Sequence, residues 1–389
     1  MSANTRLLVD QSARQGGGAT AREIAQQPDV WREAERMVAS RRDYIDAFLR
    51  PLMDRPDLRI ILTGAGTSAF AGEILAPALS RRMGRRVDAV ATTDVVSNPR
   101  DYFLDDGPTL LVSFARSGNS PESVAATELA DRLLSECHHL VLTCDRDGQL
   151  YERHARADGS AVLLMPEEAN DQGFAMTSSF TSMTLVAWLI LGGVADADKL
   201  VARLAAAAEK MLAAREENLR ELASSGYKRV VFLGSGPLKG LAHESSLKLL
   251  ELTAGETVTY FESPLGFRHG PKSILDSRTL AILYVSGDEH TRKYDLDLLA
   301  ELKSSMPSGN VIAVSGTEAG TDDPGFWHVE GVDGVDDAAL ALPFVVVAQL
   351  LGLCFSLELG YTPDNPFPNR EVNRVVQGVS IHPFPEWSS

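Results

Sequence analysis

The 389-residue chain has only three cysteines, Cys137, Cys144 and Cys354, and no CxxC pair. So sparse and odd a set excludes a disulfide framework or a zinc ribbon and predicts free, buried thiols in a reducing compartment. Cationic residues are also in deficit: 37 Lys and Arg stand against 53 Asp and Glu, a net charge of −16. That balance excludes a general nucleic-acid surface, because phosphate backbones attract Lys and Arg, but it leaves room for one small anion in a local cradle. Long apolar runs are missing too. Leu185–Val194 and Ala338–Leu353 read as too short or too interrupted to span a bilayer. Residues 1–20 carry charges and a Gly16-Gly17-Gly18 run, with no apolar signal-peptide core. The expectation is a cytoplasmic protein with no membrane or nucleic-acid partner. What is present is a folded-protein mixture, 44% hydrophobic and 23% charged, on a chain long enough for two domains.

Thr20 with Glu23 has the spacing of a capping box, opening helical sequence to about Leu52. Arg59–Thr63 (RIILT) then runs into Gly64-Ala65-Gly66-Thr67-Ser68, the pattern of a strand, a glycine turn and a helix start. Further strand-like runs follow at Val87–Ala91, Thr109–Phe114, Leu140–Thr143 and Ala161–Met165, separated by helix-like stretches such as Ala69–Arg82 and Pro121–Leu134. Alternation of this kind predicts an α/β fold, a mostly parallel sheet flanked by helices. After a long helical stretch, Ala195–Ser224, the pattern restarts: Arg229–Leu233 (RVVFL) leads into Gly234-Ser235-Gly236 and a helix, Leu238–Thr253. Gly234 lies 170 residues after Gly64. Two divergent copies of one unit account for the recurrence. The predicted boundaries are a helical extension over 1–54, a first α/β domain over 55–200, a connector over 201–225 and a second domain over 226–389.

Four segments carry chemistry. In Gly64-Ala65-Gly66-Thr67-Ser68-Ala69, glycines admit an anion to a helix N-terminus. The same letters satisfy GxGxxA, with Asp88 placed like a ribose-binding acid, so a dinucleotide fold or a plain turn also stays open. In Ser113-Phe114-Ala115-Arg116-Ser117-Gly118-Asn119-Ser120-Pro121, small hydroxyls and a basic residue at a strand's carboxyl end suit a phosphate monoester rather than a pyrophosphate. Ser120 also stands where an N-cap would. On helix Leu238–Thr253, Glu244, Lys248 and Glu251 share one face. They are either a solvated stripe worth about 0.3–0.5 kcal/mol per pair, or a carboxylate and an ammonium for moving a carbon-bound proton. In Gly266-Phe267-Arg268-His269-Gly270-Pro271-Lys272, a histidine sits in a rigid-looking, cationic loop.

Gly-x-Gly-Thr-Ser, Arg-Ser-Gly-Asn-Ser, Glu-Ser-Ser-Leu-Lys-Leu-Leu-Glu and His-Gly-Pro, in that order, resemble the sugar isomerase (SIS) domain family. The resemblance covers roughly residues 55–385, in the tandem arrangement of the isomerase half of glucosamine-6-phosphate synthase. AGTSAF, SFARSGNSPESVAA, FAMTSS, LELTAG, GFRHGPKS, RKYDLDLLAEL and NRVVQGVSIHP are similar to the AgaS-type subgroup of galactosamine-6-phosphate deaminase/isomerases, also described as tagatose-6-phosphate ketose/aldose isomerases.

The resemblance implies two tandem SIS domains and a set of roles. Ser68, Arg116, Ser117 and Ser120, with Thr67 beside them, would form the phosphate cradle. Glu251 would shuttle a proton between C2 and C1, with Lys248 and Glu244 as partners. His269 would open the sugar ring, supplied across a homodimer interface; a tetramer stays open. Gly66, Asp94, Asn373, Arg374 and Gln377 are candidate sugar-pocket residues, Gln377 standing where the synthase has a lysine. In the second half, Ser286-Gly287-Asp288-Glu289 puts acids where a phosphate would sit, so only the first half is expected to bind one. No metal and no cofactor is called for. The expected reaction converts galactosamine 6-phosphate into tagatose 6-phosphate and ammonia. The alternatives are isomerisation of an amine-free sugar phosphate, glucosamine-6-phosphate deamination, and a non-catalytic sugar-phosphate sensor.

Overall fold

The computed structural model describes residues 9–104, 106–318, 320, 322–369, 371–376 and 378–385. Helices α1 (Gly18–Ser40) and α2 (Arg42–Met53) lead into β1 (Arg59–Gly64), α3 (Thr67–Met83) and β2 (Val87–Ala91). β3 (Thr109–Ala115), α4 (Pro121–Leu133), β4 (Cys137–Thr143) and β5 (Ser160–Leu164) complete a five-stranded sheet in the order β2-β1-β3-β4-β5. Helices α5 (Ser178–Leu191) and α6 (Ala197–Ser224) then lead to β6 (Arg229–Gly234), α7 (Pro237–Leu252), β7 (Val258–Glu262) and β8 (Thr279–Val285). α8 (Glu289–Ser305), β9 (Val311–Ser315), β10 (Phe326–His328) and α9 (Asp337–Glu358) follow, and the second sheet runs β10-β9-β8-β6-β7. Numbered within its own half, each sheet has the order 2-1-3-4-5, and every pairing is parallel. Buried on both faces, such strands read as continuous apolar runs, and β3 and β8 are buried at every position.

The glycine turns repeat as closely as the strand order. Gly66 and Gly236 both have φ 54°, with ψ −128° and −125°. That left-handed region suits glycine alone. In each half the chain leaves its first strand in one direction and the third strand lies on the opposite side. The crevice therefore opens at the carboxyl ends of β1 and β3, where ligands bind in open parallel sheets.

The helical run to about Leu52 is a pair of helices that meet at Arg41, whose backbone sits at φ −106°, ψ 13°. One expectation at its start needs correction: there is no capping box. Gly17 occupies the N-cap, and Asp364, from the far end of the chain, accepts the N–H groups of Ala19 and Thr20 and the Thr20 hydroxyl at 3.0, 2.7 and 2.8 Å. Glu23 bonds a distant loop instead.

α9 corrects a second expectation. It continues through Asp337–Glu358, 22 residues whose most apolar 18-residue window has a mean hydropathy of 2.3, which is long and apolar enough to cross a membrane. Here that apolar window is buried inside the protein, packed on α6 and α7. A single core cluster joins it to Leu62 and Phe114 of the first sheet and to Phe232 and Tyr284 of the second. Cys144 and Cys354 are buried as expected, whereas Cys137, at the start of β4, is only half-buried.

Candidate active site

The loop after β1 and the loop after β3 face each other across the crevice. Together with α7, the segment 174–176 and the tail 372–376 they enclose a cavity of about 200 Å³. Gly66, Thr67, Ser68, Arg116, Ser117 and Ser120 line it from the first half, Lys248 and Glu251 from the second. α7 crosses close to α3 because Gly240 has no side chain. A Cβ there would stand 2.7 Å from the backbone nitrogen of Ile74.

The donors on the first-half wall are under-used within the protein. Ser120 occupies the N-cap position of α4, yet its side chain makes no capping bond. Ser68 Oγ has only a long contact, 3.9 Å, to Met176 Sδ, and Ser117 Oγ accepts a weak 3.3 Å bond from Asn119 N. Arg116 is 6% exposed; its Nη2 donates to the Arg374 carbonyl at 3.0 Å, while its buried Nη1 has no partner. Burial first, and then the charge of Arg374, pull the Arg116 guanidinium below its usual range. A buried guanidinium nitrogen with no partner, a second cation beside it and serine hydroxyls with at most long or weak contacts describe a site built for an anion.

The opposite wall is an ion cluster. Lys248 is fully buried, and its Nζ donates to Thr67 Oγ1 at 2.9 Å and to Glu251 Oε2 at 2.7 Å, with Glu244 Oε1 at 3.5 Å. Burial alone would push this ammonium down, but Glu244 and Glu251 outweigh it and hold the lysine pKa above normal. Burial pushes the Glu244 carboxyl up to about 8, against the pull of Lys248. The solvated-stripe alternative therefore fails: Glu244 and Lys248 lie in the core, and only Glu251, about a quarter exposed, reaches the cavity as a carboxylate.

The other predicted residues divide. Asn373 and Arg374 line the cavity; Gln377 lies outside the described residues. Asp94 is exposed on a short helix after β2, Thr92–Ser97, and does not line the cavity; the residues that helix buries are Thr92 and Val95. Thr67 lines the cavity, but its hydroxyl is engaged by Lys248 rather than left for an anion. Asp88 is held by Arg86 and Arg59, at 2.6 and 3.4 Å, so it does not await a ribose. His269 is exposed and absent from its own chain's cavity, and its cationic neighbours Arg268 and Lys272 are both tied to Glu301. Phe174, Met176 and Val372 also form walls; the first two lie in the FAMTSS motif of the resemblance, which carried no role for them, and no sequence signal marked Val372.

In the second half the matching donors are already occupied. Asp295 accepts from Ser235 Oγ and Ser286 N at 2.6 and 2.9 Å, and Asp337 accepts from Ser286 Oγ and Gly287 N at 2.5 and 2.8 Å. Fixed carboxylates thus fill the place of an anion. They are not the Asp288 and Glu289 singled out from sequence; Asp288 caps α8 instead.

Comparison with known proteins agrees with this arrangement. The SIS domain profile matches residues 54–192, the first sheet and its helices. A Streptomyces coelicolor relative is 57% identical over 97% of each chain. D-galactosamine-6-phosphate deaminase AgaS of Shewanella sp. (strain ANA-3) is 43% identical over 98% of this chain and 96% of its own. The crystal structure of tagatose-6-phosphate ketose/aldose isomerase from Escherichia coli superposes with a TM-score of 0.87 at 41% identity, covering 96% of this chain and 98% of that one. Fold and site thus define an SIS-domain protein of the sugar-phosphate enzyme class. Within that class, the chain belongs to the AgaS family.

Proposed function

We propose that this chain deaminates and isomerises galactosamine 6-phosphate, giving tagatose 6-phosphate and ammonia. The observation that carries the reading is the pairing of an under-satisfied anion cradle with Glu251 and a buried Lys248 across one small cavity. In the reading, the phosphate takes the hydroxyls of Ser68, Ser117 and Ser120 and the free Nη1 of Arg116. This sets the open-chain sugar's C2 against Glu251. The carboxylate removes the C2 proton; the electrons move into the C1–C2 bond and onto the C1 oxygen, beside the Lys248 ammonium. Glu251 returns the proton at C1 as the nitrogen lone pair closes the C=N bond, and a proton from that nitrogen neutralises the C1 oxygen, leaving a hydroxyl at C1 and a ketimine at C2. Water adds to that carbon and ammonia leaves, so the 2-ketose remains.

The two names carried by the relatives, deaminase and ketose/aldose isomerase, share the C1–C2 proton transfer and differ in the fate of nitrogen. Incubation with galactosamine 6-phosphate, assayed for ammonia and ketose together, separates them. We expect one ammonia per ketose; ketose formed only from an amine-free aldose phosphate such as galactose 6-phosphate, with no ammonia from the amino sugar, would make the chain a plain isomerase.

Ring opening falls to His269 in this reading, delivered by a second copy because the imidazole is remote from its own cavity. Leu265, exposed in the same loop, suits burial in such a contact. Mixing Glu251→Gln and His269→Ala chains, each inactive, would place both wild-type groups in one of the two sites of every mixed dimer. We expect recovery of about a quarter of wild-type activity on mixing. Failure to recover any, with exchange of chains verified, would return His269 to its own chain or remove it from the reaction.

A further inference from the structure

The cavity has two mobile-looking walls by composition, an irregular loop and a tail, and both are fastened by a helix that does not touch the cavity. Glu23 of α1 is 4% exposed. Its carboxylate accepts the N–H of Gln172 at 2.5 Å and that of Gly173 at 3.2 and 3.1 Å, and its carbonyl accepts from Ser178 Oγ at 2.7 Å. The fit is tight: a Cβ on Gly173 would lie 2.8 Å from Thr20 Oγ1 and 2.9 Å from Glu23 Oε2. The far end of the loop is pinned by fully buried Asp171, which takes the N–H groups of Thr177, Ser178 and Ser179 and the hydroxyls of Thr177 and Ser179. Between these anchors the loop presents Phe174 and Met176 to the cavity, with Met176 against Ser68 of the cradle.

The tail is fastened to the same turn of α1. Asp364 grips Ala19 and Thr20, and Phe367 packs on Phe174 with ring centroids 5.2 Å apart. A few residues on, Val372–Val376 line the cavity, and the Arg374 carbonyl holds Arg116. Loop and tail therefore share one foundation and touch each other over the cradle.

We infer that Glu23 is a positioning residue for the sugar-phosphate site: through Gln172 and Gly173 it sets the loop, and through the Phe174–Phe367 contact the tail, against the phosphate cradle. The inference rests on the function proposed above for that site. The alternative is that Glu23 only stabilises the fold, and its surroundings argue against that. Asp171 and Asp364 are the acids that face it, and among the described residues no cation pairs with it; burial and then Asp171 push its carboxyl up to about 7, while the N–H groups of Gln172 and Gly173 pull it down. A raised carboxyl binds more protons folded than unfolded, so between its unfolded value near 4.5 and about 7 its contribution to stability falls as pH rises.

Glu23→Gln preserves shape, removes the acid–acid repulsion, and sets an amide NH₂ against the Gly173 N–H. With galactosamine 6-phosphate we expect KM to rise about tenfold, kcat to stay within about twofold and the melting temperature at pH 8 to hold or rise. Asp364→Asn should raise KM in the same direction. Hydrogen exchange should quicken in both 172–176 and 372–376 of the Glu23→Gln chain, and saturating inorganic phosphate should slow both in the wild type. Unchanged KM with a lowered melting temperature, or faster exchange confined to Gln172 and Gly173, would overturn the inference. If the wild type does not turn over the sugar, the proposed reaction fails, and the exchange pattern still decides the role of Glu23 by itself.

Discussion

Glu251→Gln lowers kcat for galactosamine 6-phosphate by about 10²–10⁴-fold while KM stays within about threefold. The substitution isolates one function. Glutamine keeps the length of the side chain and can still accept from Lys248 Nζ, which lies 2.7 Å from Glu251 Oε2. With the Glu251 charge gone, one cause of the raised Glu244 carboxyl is gone too, so Glu244, 3.5 Å away, can ionise more readily and take over as counter-charge to the Lys248 ammonium. What is lost is a group able to take a proton from carbon and give it back. Steady-state kinetics beside a melting curve measure both halves of the claim. Near-normal kcat in a folded Glu251→Gln protein would take Glu251 out of the chemistry.

Arg116→Gln should raise KM about 10- to 100-fold, the worth of a charge-assisted hydrogen bond or two to a phosphate in a buried site. kcat at saturation should change less, because the phosphate lies at the far end of the sugar from C2. Arg116→Lys should fall between, since a lysine retains the charge and loses the planar fork. The unliganded protein carries the opposite signature. Arg116 is 6% exposed, with a buried Nη1 that has no partner. Removing such a charge relieves an unmet desolvation cost, so the ligand-free melting temperature should hold or rise while binding weakens. A fall in melting temperature with unchanged KM would instead make Arg116 a structural tie to the Arg374 carbonyl.

Much of this molecule was legible before its coordinates, for reasons that differ by element. β1, β3, β6 and β8 sit inside parallel sheets, so both faces are apolar and the runs stand out in sequence. The glycine turns were readable because a left-handed backbone followed by close helix packing leaves few other residues eligible. β7 and β10 were missed: β7 is an edge strand with exposed and half-buried positions, and β10 has three residues. The capping box failed because propensity rules look three residues ahead, whereas the partner of Thr20 lies 344 residues away. In the site, phosphate-type hydroxyls and the α7 acid–base face were local patterns. That Asp94 lies outside the cavity lining was not legible, because where a short helix after a strand points depends on tertiary packing. Phe174 and Met176 stood in a motif of the resemblance, but their part as walls was not legible for the same reason: a loop becomes a cavity wall only when Glu23 and Asp171 fasten it.

The central claim is that a phosphate held by the first sheet's loops places C2 of the sugar against a carboxylate carried by the second half. A crystal structure of the Glu251→Gln protein with galactosamine 6-phosphate tests it most directly. The account predicts phosphate oxygens within hydrogen-bond distance of Ser68, Ser117, Ser120 and Arg116, and C2 about 3–3.5 Å from the side chain at position 251. A phosphate bound elsewhere, or a sugar with C2 out of reach of that side chain in every copy, would contradict it.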